Sequence, residues 1–361
     1  MAHVTPHYFG AGSYIGGGER HVSNKVRAVQ RAGAGFAPEI VSFHRAPTTR
    51  QMLDEIPLTL VQDRGPGSRE RAVGPELWEV LAGFDLIYVH HALTPIGEIN
   101  LAIALQCGRP VVVTDHGAER RAPLETGALG LVDAVVCQSE FGAGLLRPWV
   151  SAPLHVLLGP VDDRLFTPDT GTARQLRLLC AGRILPHKAI DRVIRALPAD
   201  LPLTVCGPAF DPAYLELLRQ LARGKQVAFV TEASDGDLLH LYRSSTATIL
   251  ASGYRTIHGE LIAYPELFGQ TLGESLASGT PILAARAGGM PEVIGDSGAG
   301  RVFADDAELE TALADIAARR WPPPGMAERC VARARAMGQE LAGRRLTEIY
   351  RAAIASFEAR R

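Results

Sequence analysis

Short apolar runs recur through the first half of the chain at residues 39–43 (EIVSF), 58–61 (LTLV), 85–90 (DLIYVH), 110–114 (PVVVT), 134–137 (AVVC) and 154–158 (LHVLL). Runs this short and this continuously apolar read as strands buried on both faces. Turn or helical patterns separate most of them, which is the rhythm of a parallel, doubly wound sheet. A polar, turn-rich stretch at 159–174 interrupts the pattern. It restarts with runs at 176–180, 203–206, 227–230, 247–250 and 281–284. Beyond 321–325 (WPPPG), residues 327–361 are helical in propensity, with Leu346, Ile349, Tyr350, Ile354 and Phe357 at helical spacing. The pattern predicts an α/β protein of two Rossmann-like domains facing each other across a cleft, at 1–165 and 166–330, closed by a helical segment at 331–361.

Composition agrees with two ordinary cores. A chain of 361 residues exceeds what one hydrophobic core organises, and 47% hydrophobic with 21% charged residues is globular usage. The net charge of -2 supplies no basic field for nucleic acid, so an anion must be met by a local site. Of Cys107, Cys137, Cys180, Cys206 and Cys330, the first four lie in or beside apolar runs, as reduced thiols of a cytoplasmic protein do. No CxxC or Cys/His cluster suggests structural zinc. The start lacks the basic region and apolar run of a signal peptide, and no segment approaches the roughly 20 apolar residues of a membrane span. A cytoplasmic location is the expectation.

The most specific constellation is 265–281 (PELFGQTLGESLASGTP), which places Glu266 eight residues before Glu274 and Gly269 at the opening of an apolar helix. Two glutamates at this spacing are by themselves an ordinary solvated surface. The helix N-terminus can offer backbone N–H groups, at Gly269, Gln270 and Thr271, to an anion such as a nucleotide diphosphate, and the element that follows the next strand lifts the constellation above that bland reading. Glu266 can then accept from sugar hydroxyls and Glu274 from a ribose diol. The next strand ends in 285–294 (ARAGGMPEVI), a glycine pair where open α/β sheets bind ligands.

Arg183 and Lys188 follow a strand and precede a helix, so both can converge on a phosphate. Gly16, Gly17 and Gly18 precede a helix with Val22, Val26 and Val29 inward, a position that favours a phosphate-approaching loop over a plain turn. His116 stands just past the buried run at 110–114, and His90 and His91 close another. Arg20, Arg27 and Arg31 share the outer face of the first helix. Three charges read as a solvated face with at most peripheral membrane contact.

These motifs resemble glycosyltransferase family 4, whose fold is GT-B. The resemblance covers nearly the whole chain and includes 15–20 (IGGGER), 133–139 (DAVVCQS), 159–166 (GPVDDRLF) and 181–188 (AGRILPHK), with Pro160 a departure from the family's linker. It implies that residues 1–165 bind the acceptor, that 166–330 bind the nucleotide-sugar, and that 331–361 pack back on the first domain. It implies Glu266 on the donor sugar, Glu274 on the ribose, and Arg183 with Lys188 on the diphosphate. Lysine is rare in this chain, confined to Lys25, Lys188 and Lys225, yet it stands where the family has its diphosphate lysine. Gly17 and Gly18 would close over the donor, Leu267, Phe268, Gly269, Gln270 and Thr271 would line it, and His116 would contact its sugar. Asp115, Glu119, Arg120, His90 and His91 are acceptor-side candidates.

The implied reaction is retaining hexosyl transfer from a UDP- or GDP-sugar to an unidentified acceptor, without cofactor or metal. Rivals are a non-catalytic nucleotide-sugar-binding protein and a same-fold epimerase or phosphorylase. A nicotinamide-dependent dehydrogenase fits worse, because 10–16 (GAGSYIG) places its glycines loosely and no acidic partner follows. The loop at 251–265 is longer than the family's, and its Tyr254, Arg255, His258 and Glu260 are candidates for donor or acceptor recognition.

Overall fold

The computed structural model describes residues 1–6, 9, 16–65, 72, 74–117 and 127–361. The chain divides into two units, Met1–Pro160 with Gln339–Arg361, and Val161–Gly338.

Unit 1 runs β1 (Ala2–Val4), α1 (Gly17–Ala32), β2 (Glu39–His44), β3 (Thr49–Leu53), β4 (Ile56–Gln62), α2 (Leu77–Ala82), β5 (Ile87–Val89), α3 (Pro95–Gln106), β6 (Val111–Val113), β7 (Ala134–Cys137), α4 (Glu140–Leu146) and β8 (Leu154–Val156). The last helix of the chain, α12 (Gln339–Ala359), completes it. The sheet order is β3-β4-β2-β1-β5-β6-β7-β8, with β3 and β4 antiparallel and every other pair parallel. The reading from sequence lacks β3. Its residues are almost all exposed and carry no apolar alternation, and the hairpin is set by Asp54 and Glu55 at φ 44° and 68°.

Alternation along each strand builds two cores. Ala2, Val4, Ile87, Val89, Val111 and Val113 face α2, α3 and α4, while Met1, Tyr88, Val112 and Val136 face α1 and α12. The second face takes Ala28 and Val29 from α1 and Leu346, Ile349, Tyr350 and Ala353 from α12. The same period puts His3 beside Tyr88, on the α1 side of the sheet. The two helices touch closely at Gly343, where a Cβ would stand 2.1 Å from the Ala28 carbonyl oxygen. Gly343→Ala should therefore lower stability by about 1–3 kcal/mol through overpacking against main chain. Chemical denaturation monitored by circular dichroism checks this, and an unchanged midpoint would contradict the contact.

Unit 2 runs β9 (Gln175–Ala181), α5 (Ile190–Ala196), β10 (Leu203–Cys206), α6 (Pro212–Leu221), β11 (Val227–Val230), α7 (Asp235–Ser244), β12 (Ser245–Leu250), α8 (Gln270–Ala277), β13 (Ile282–Ala285), α9 (Met290–Ile294), β14 (Gly300–Phe303), α10 (Asp306–Ala317) and α11 (Met326–Arg335). Its strands are all parallel, in the order β11-β10-β9-β12-β13-β14. Asp211, Ser234 and Asp305 cap α6, α7 and α10 by accepting from backbone N–H groups of their first turns. Helix α11 stays with this unit because Arg333 donates to the Val293 carbonyl (2.8 Å) and Cys330 Sγ to that of Ala299 (3.6 Å). Among the described residues, no helix is long and apolar enough to cross a membrane.

Candidate functional site

Parallel strands place the loops that follow them on one edge of a sheet, and ligands settle where the strand order reverses. In unit 2 the reversal lies between β9 and β12, since β10 and β11 extend one side and β13 and β14 the other. After β9 the chain passes Gly182 at φ 138° and makes a 3₁₀ turn, Pro186–Lys188, before Ala189 at φ 50° leads into α5. After β12 it reaches Glu266. That residue is held through its main chain, because Gly289 N–H donates to its carbonyl at 2.9 Å. Gly288 packs so closely that a Cβ there would stand 2.0 Å from the same oxygen.

The two loops meet in one contact. Lys188 Nζ donates to Glu266 Oε2 at 2.5 Å, with side chains only 15% and 18% exposed. Arg183 is exposed close by. Burial first, then the neighbouring charges of Lys188 and Arg183, pull the His187 pKa down to about 4, against the opposing pull of Glu266. Such a cluster holds cationic charge ready for an anion and one carboxylate able to accept hydroxyl hydrogens.

Helix α8 opens at Gly269, whose φ of 87° favours glycine, with Leu250 and Leu272 packed around it. Leu267, Phe268 and Gln270 are buried and Thr271 is half-buried. Phe268 lies against Gly273. Glu274, read from sequence as the ribose contact, is buried on the inner side of α8, where Tyr242 donates its hydroxyl to Oε2 at 3.0 Å. The sequence reading missed Tyr242, which lies 32 residues upstream on α7.

The long loop before Glu266 contains a small hairpin. Arg255 and Leu261 bridge antiparallel, Ile262 N–H donates to the Tyr254 carbonyl at 2.9 Å, and Arg255 Nη1 donates to that of Gly259 at 2.9 Å. Tyr254 Oη accepts from Gly288 N–H at 3.1 Å, so the hairpin is fastened beside the Glu266 loop. His258 and Glu260 are exposed on it.

In unit 1 the order reverses between β1 and β5. Here five of the chain's 11 histidines gather. His116 lies 4.2 Å from His91 in a stacked arrangement, 5.5 Å from His90, and 5.1 Å edge-on from His21, while His3 stacks on His90 at 5.2 Å. Gly18 packs against the cluster, since its Cβ would stand 3.0 Å from His91 Cε1. Gly17 is exposed at the start of α1, where Gly16 N–H donates to Glu19 Oε2 at 3.0 Å. His91 sits at φ 55°, held by Thr94, which donates to its carbonyl at 2.8 Å and caps α3.

His90, read from sequence as an acceptor-side residue, is fully buried because the period of β5 turns it inward with Tyr88. Asp115 Oδ2 accepts from Gly117 N–H at 2.9 Å. Glu119 and Arg120 lie outside the described residues. Sequence reasoning did not find His3, His21, Lys25 or Gln138 in this cluster. Only His3 carried a signal, as a polar residue inside a short apolar strand. Among the described residues, no three His, Cys, Asp or Glu side chains are placed to hold a metal ion.

Residues 169–337 match the model of the family described as glycosyl transferases group 1, and residues 15–165 that of glycosyltransferase family 4. An MMP alpha-(1->4)-mannosyltransferase from Mycolicibacterium hassiacum is 29% identical over 230 residues, covering 60% of this chain and 52% of that protein. The chain thus spans about half the length of that relative. A GDP-mannose-dependent alpha-(1-6)-phosphatidylinositol monomannoside mannosyltransferase from Mycolicibacterium smegmatis is 30% identical over 272 residues, covering 66% and 69%. Among solved structures, a sucrose-phosphate synthase from Thermosynechococcus elongatus superposes with a TM-score of 0.75 at 20% identity, over 98% of this chain and 99% of that one.

Proposed function

The chain belongs to glycosyltransferase family 4 and has the GT-B fold, and from that premise we propose that it transfers a hexosyl group from a UDP- or GDP-sugar to an acceptor hydroxyl with retention at the anomeric carbon. The observation that carries this reading is the Lys188–Glu266 contact at the strand-order reversal of unit 2. In the proposed role, Lys188 and Arg183 take the diphosphate together with the backbone N–H groups at the start of α8. Glu266 accepts from the sugar hydroxyls, and Glu274, aligned by Tyr242, serves the ribose. A bound diphosphate competes with Glu266 for Lys188, which turns the carboxylate toward the sugar.

The chemistry then requires little covalent participation by the protein. The bond from the anomeric carbon to the phosphate oxygen breaks, the acceptor oxygen bonds the same face, and the acceptor proton passes to the leaving diphosphate oxygen. Fixed cations aimed at that developing charge supply the electrostatic stabilisation. The GDP-mannose-dependent relative makes GDP-mannose the first donor to assay.

Thermal shift with UDP, GDP and their sugars tests donor binding, since a ligand at 100 times its Kd stabilises by ~2.7 kcal/mol. No shift with any nucleoside diphosphate would overturn the assignment. Binding without release of nucleoside diphosphate in the presence of acceptors would favour a non-catalytic binder. Turnover should also persist in EDTA, because Arg183, Lys188 and the α8 amides provide the countercharge for the diphosphate. Complete loss on chelation with recovery in magnesium or manganese would contradict metal-independent transfer.

A further inference from the structure

The histidines of unit 1 are hydrogen-bonded in a row whose direction is readable from its outer end. Gln138 Nε2 lies 3.1 Å from the Asp115 carbonyl oxygen and 2.9 Å from His116 Nδ1. A main-chain carbonyl can only accept, so the amide nitrogen faces it, and the second N–H of that nitrogen donates to His116 Nδ1. With Nδ1 accepting, the proton of neutral His116 sits on Nε2 and donates to His90 Nδ1 at 3.2 Å. His90 then donates from Nε2 to His3 Nδ1 at 3.0 Å. The row ends at His3 Nε2, which is buried with no hydrogen-bond partner among the described residues, beside the rings of Tyr88 and Tyr350.

We propose that Gln138, His90 and His3 are positioning residues that hold His116 as its Nε2–H tautomer, with neither ring nitrogen left to take a proton from the acceptor. The inference rests on the reading of this cluster as part of the transferase site. A second proton on His116 would require Gln138 to turn its oxygen toward both the ring and the Asp115 carbonyl, a repulsive arrangement. The surroundings disfavour charge as well. Burial and then Lys25 push the His3 pKa well below its ordinary value, and burial, His3 and Lys25 do the same to His90. Tyr88 and His91 from the β5 end, His21 and Lys25 from α1, and Tyr350 from α12 complete the packing, and Asp115 turns Oδ2 to Gly117. His91 stacked on the His116 ring fixes its plane. His116 is thereby a rigid neutral surface rather than a base, which leaves the diphosphate oxygen to receive the acceptor proton.

The test begins on the free protein, so its outcome is separate from that of the donor assay. With ¹⁵N-labelled histidine, and His116 assigned by comparison with His116→Phe, the ring should show protonated Nε2 and bare Nδ1 across about pH 6 to 8. An Nδ1–H tautomer or an imidazolium in that range would overturn the proposal. Gln138→Glu places an acceptor where the donor stood, so His116 must then carry a proton on Nδ1. That variant should lose roughly ten- to a hundredfold in kcat with little change in KM, and its kcat profile should gain an ionisation absent from the wild type. His90→Asn, which keeps an acceptor toward His116, should retain more turnover than His90→Leu. Unchanged His116 resonances in Gln138→Glu, or equal losses in the two His90 variants, would sink the idea.

Discussion

Lys188→Ala should lower kcat/KM by about two to three decades, the cost of removing one fixed charge from a developing oxyanion, roughly 2.7–4 kcal/mol. Glu266→Ala should lose about one to two decades, since charge-assisted hydrogen bonds to sugar hydroxyls are worth roughly 1.5–3 kcal/mol. Glu266→Gln should keep part of that, because an amide oxygen still accepts. The two side chains bond each other at 2.5 Å, so the double variant should lose less than the sum of the single losses. Strictly additive losses would indicate that the contact is incidental to turnover. Proton NMR of fresh product, read through the anomeric coupling, completes the experiment. An inverted product, or a glycosyl adduct on Glu266, would exclude the proposed role.

Lys188 and Glu266 were legible separately, each in the loop that follows a buried apolar run, whereas their contact emerges only from the fold. Loops after parallel strands converge at a strand-order reversal, so Lys188 after β9 and Glu266 after β12 can meet although 78 residues separate them. The strands were legible for a related reason: covered on both faces, they read as continuous apolar runs. Where that condition fails the signal fails. Strand β3 is exposed, and β14 opens at Gly300, where a Cβ would press within 2.4 Å of the Ile282 carbonyl. The histidine row was illegible because it depends on register. His3 meets His90 only once β1 lies parallel to β5 with His3 opposite Tyr88, and a three-residue strand announces no register of its own.

Register also explains the strongest stability effect expected here. Lys25 points from α1 to the face of the sheet that carries His3 and Tyr88, is 0% exposed, and donates to Tyr88 Oη at 2.8 Å, with Thr114 Oγ1 at 3.5 Å. Burial pulls its pKa from an ordinary 10.5 to about 7. The unfolded chain therefore binds the extra proton throughout the interval between those values. Folding carries the full penalty below the lower one and sheds it as pH rises through the interval, by about 1.4 kcal/mol per unit. Lys25→Met fills similar volume without an ammonium and leaves Tyr88 able to hydrogen-bond Thr114. At pH 7 the variant should be more stable by several kcal/mol, and its Tm higher by on the order of 5–10 °C for a unit of this size. The advantage should shrink toward pH 10, where the wild-type amine is neutral in both states. Thermal unfolding of both proteins across about pH 6 to 10 is the measurement. A difference that stays constant with pH, or a variant less stable at pH 7, would show that the amine is not held in a low-dielectric core. If the difference closes as expected, unit 1 tolerates a costly buried amine beside its histidine row, where burial, with the amine's positive field adding to it, disfavours a proton on His3 and His90.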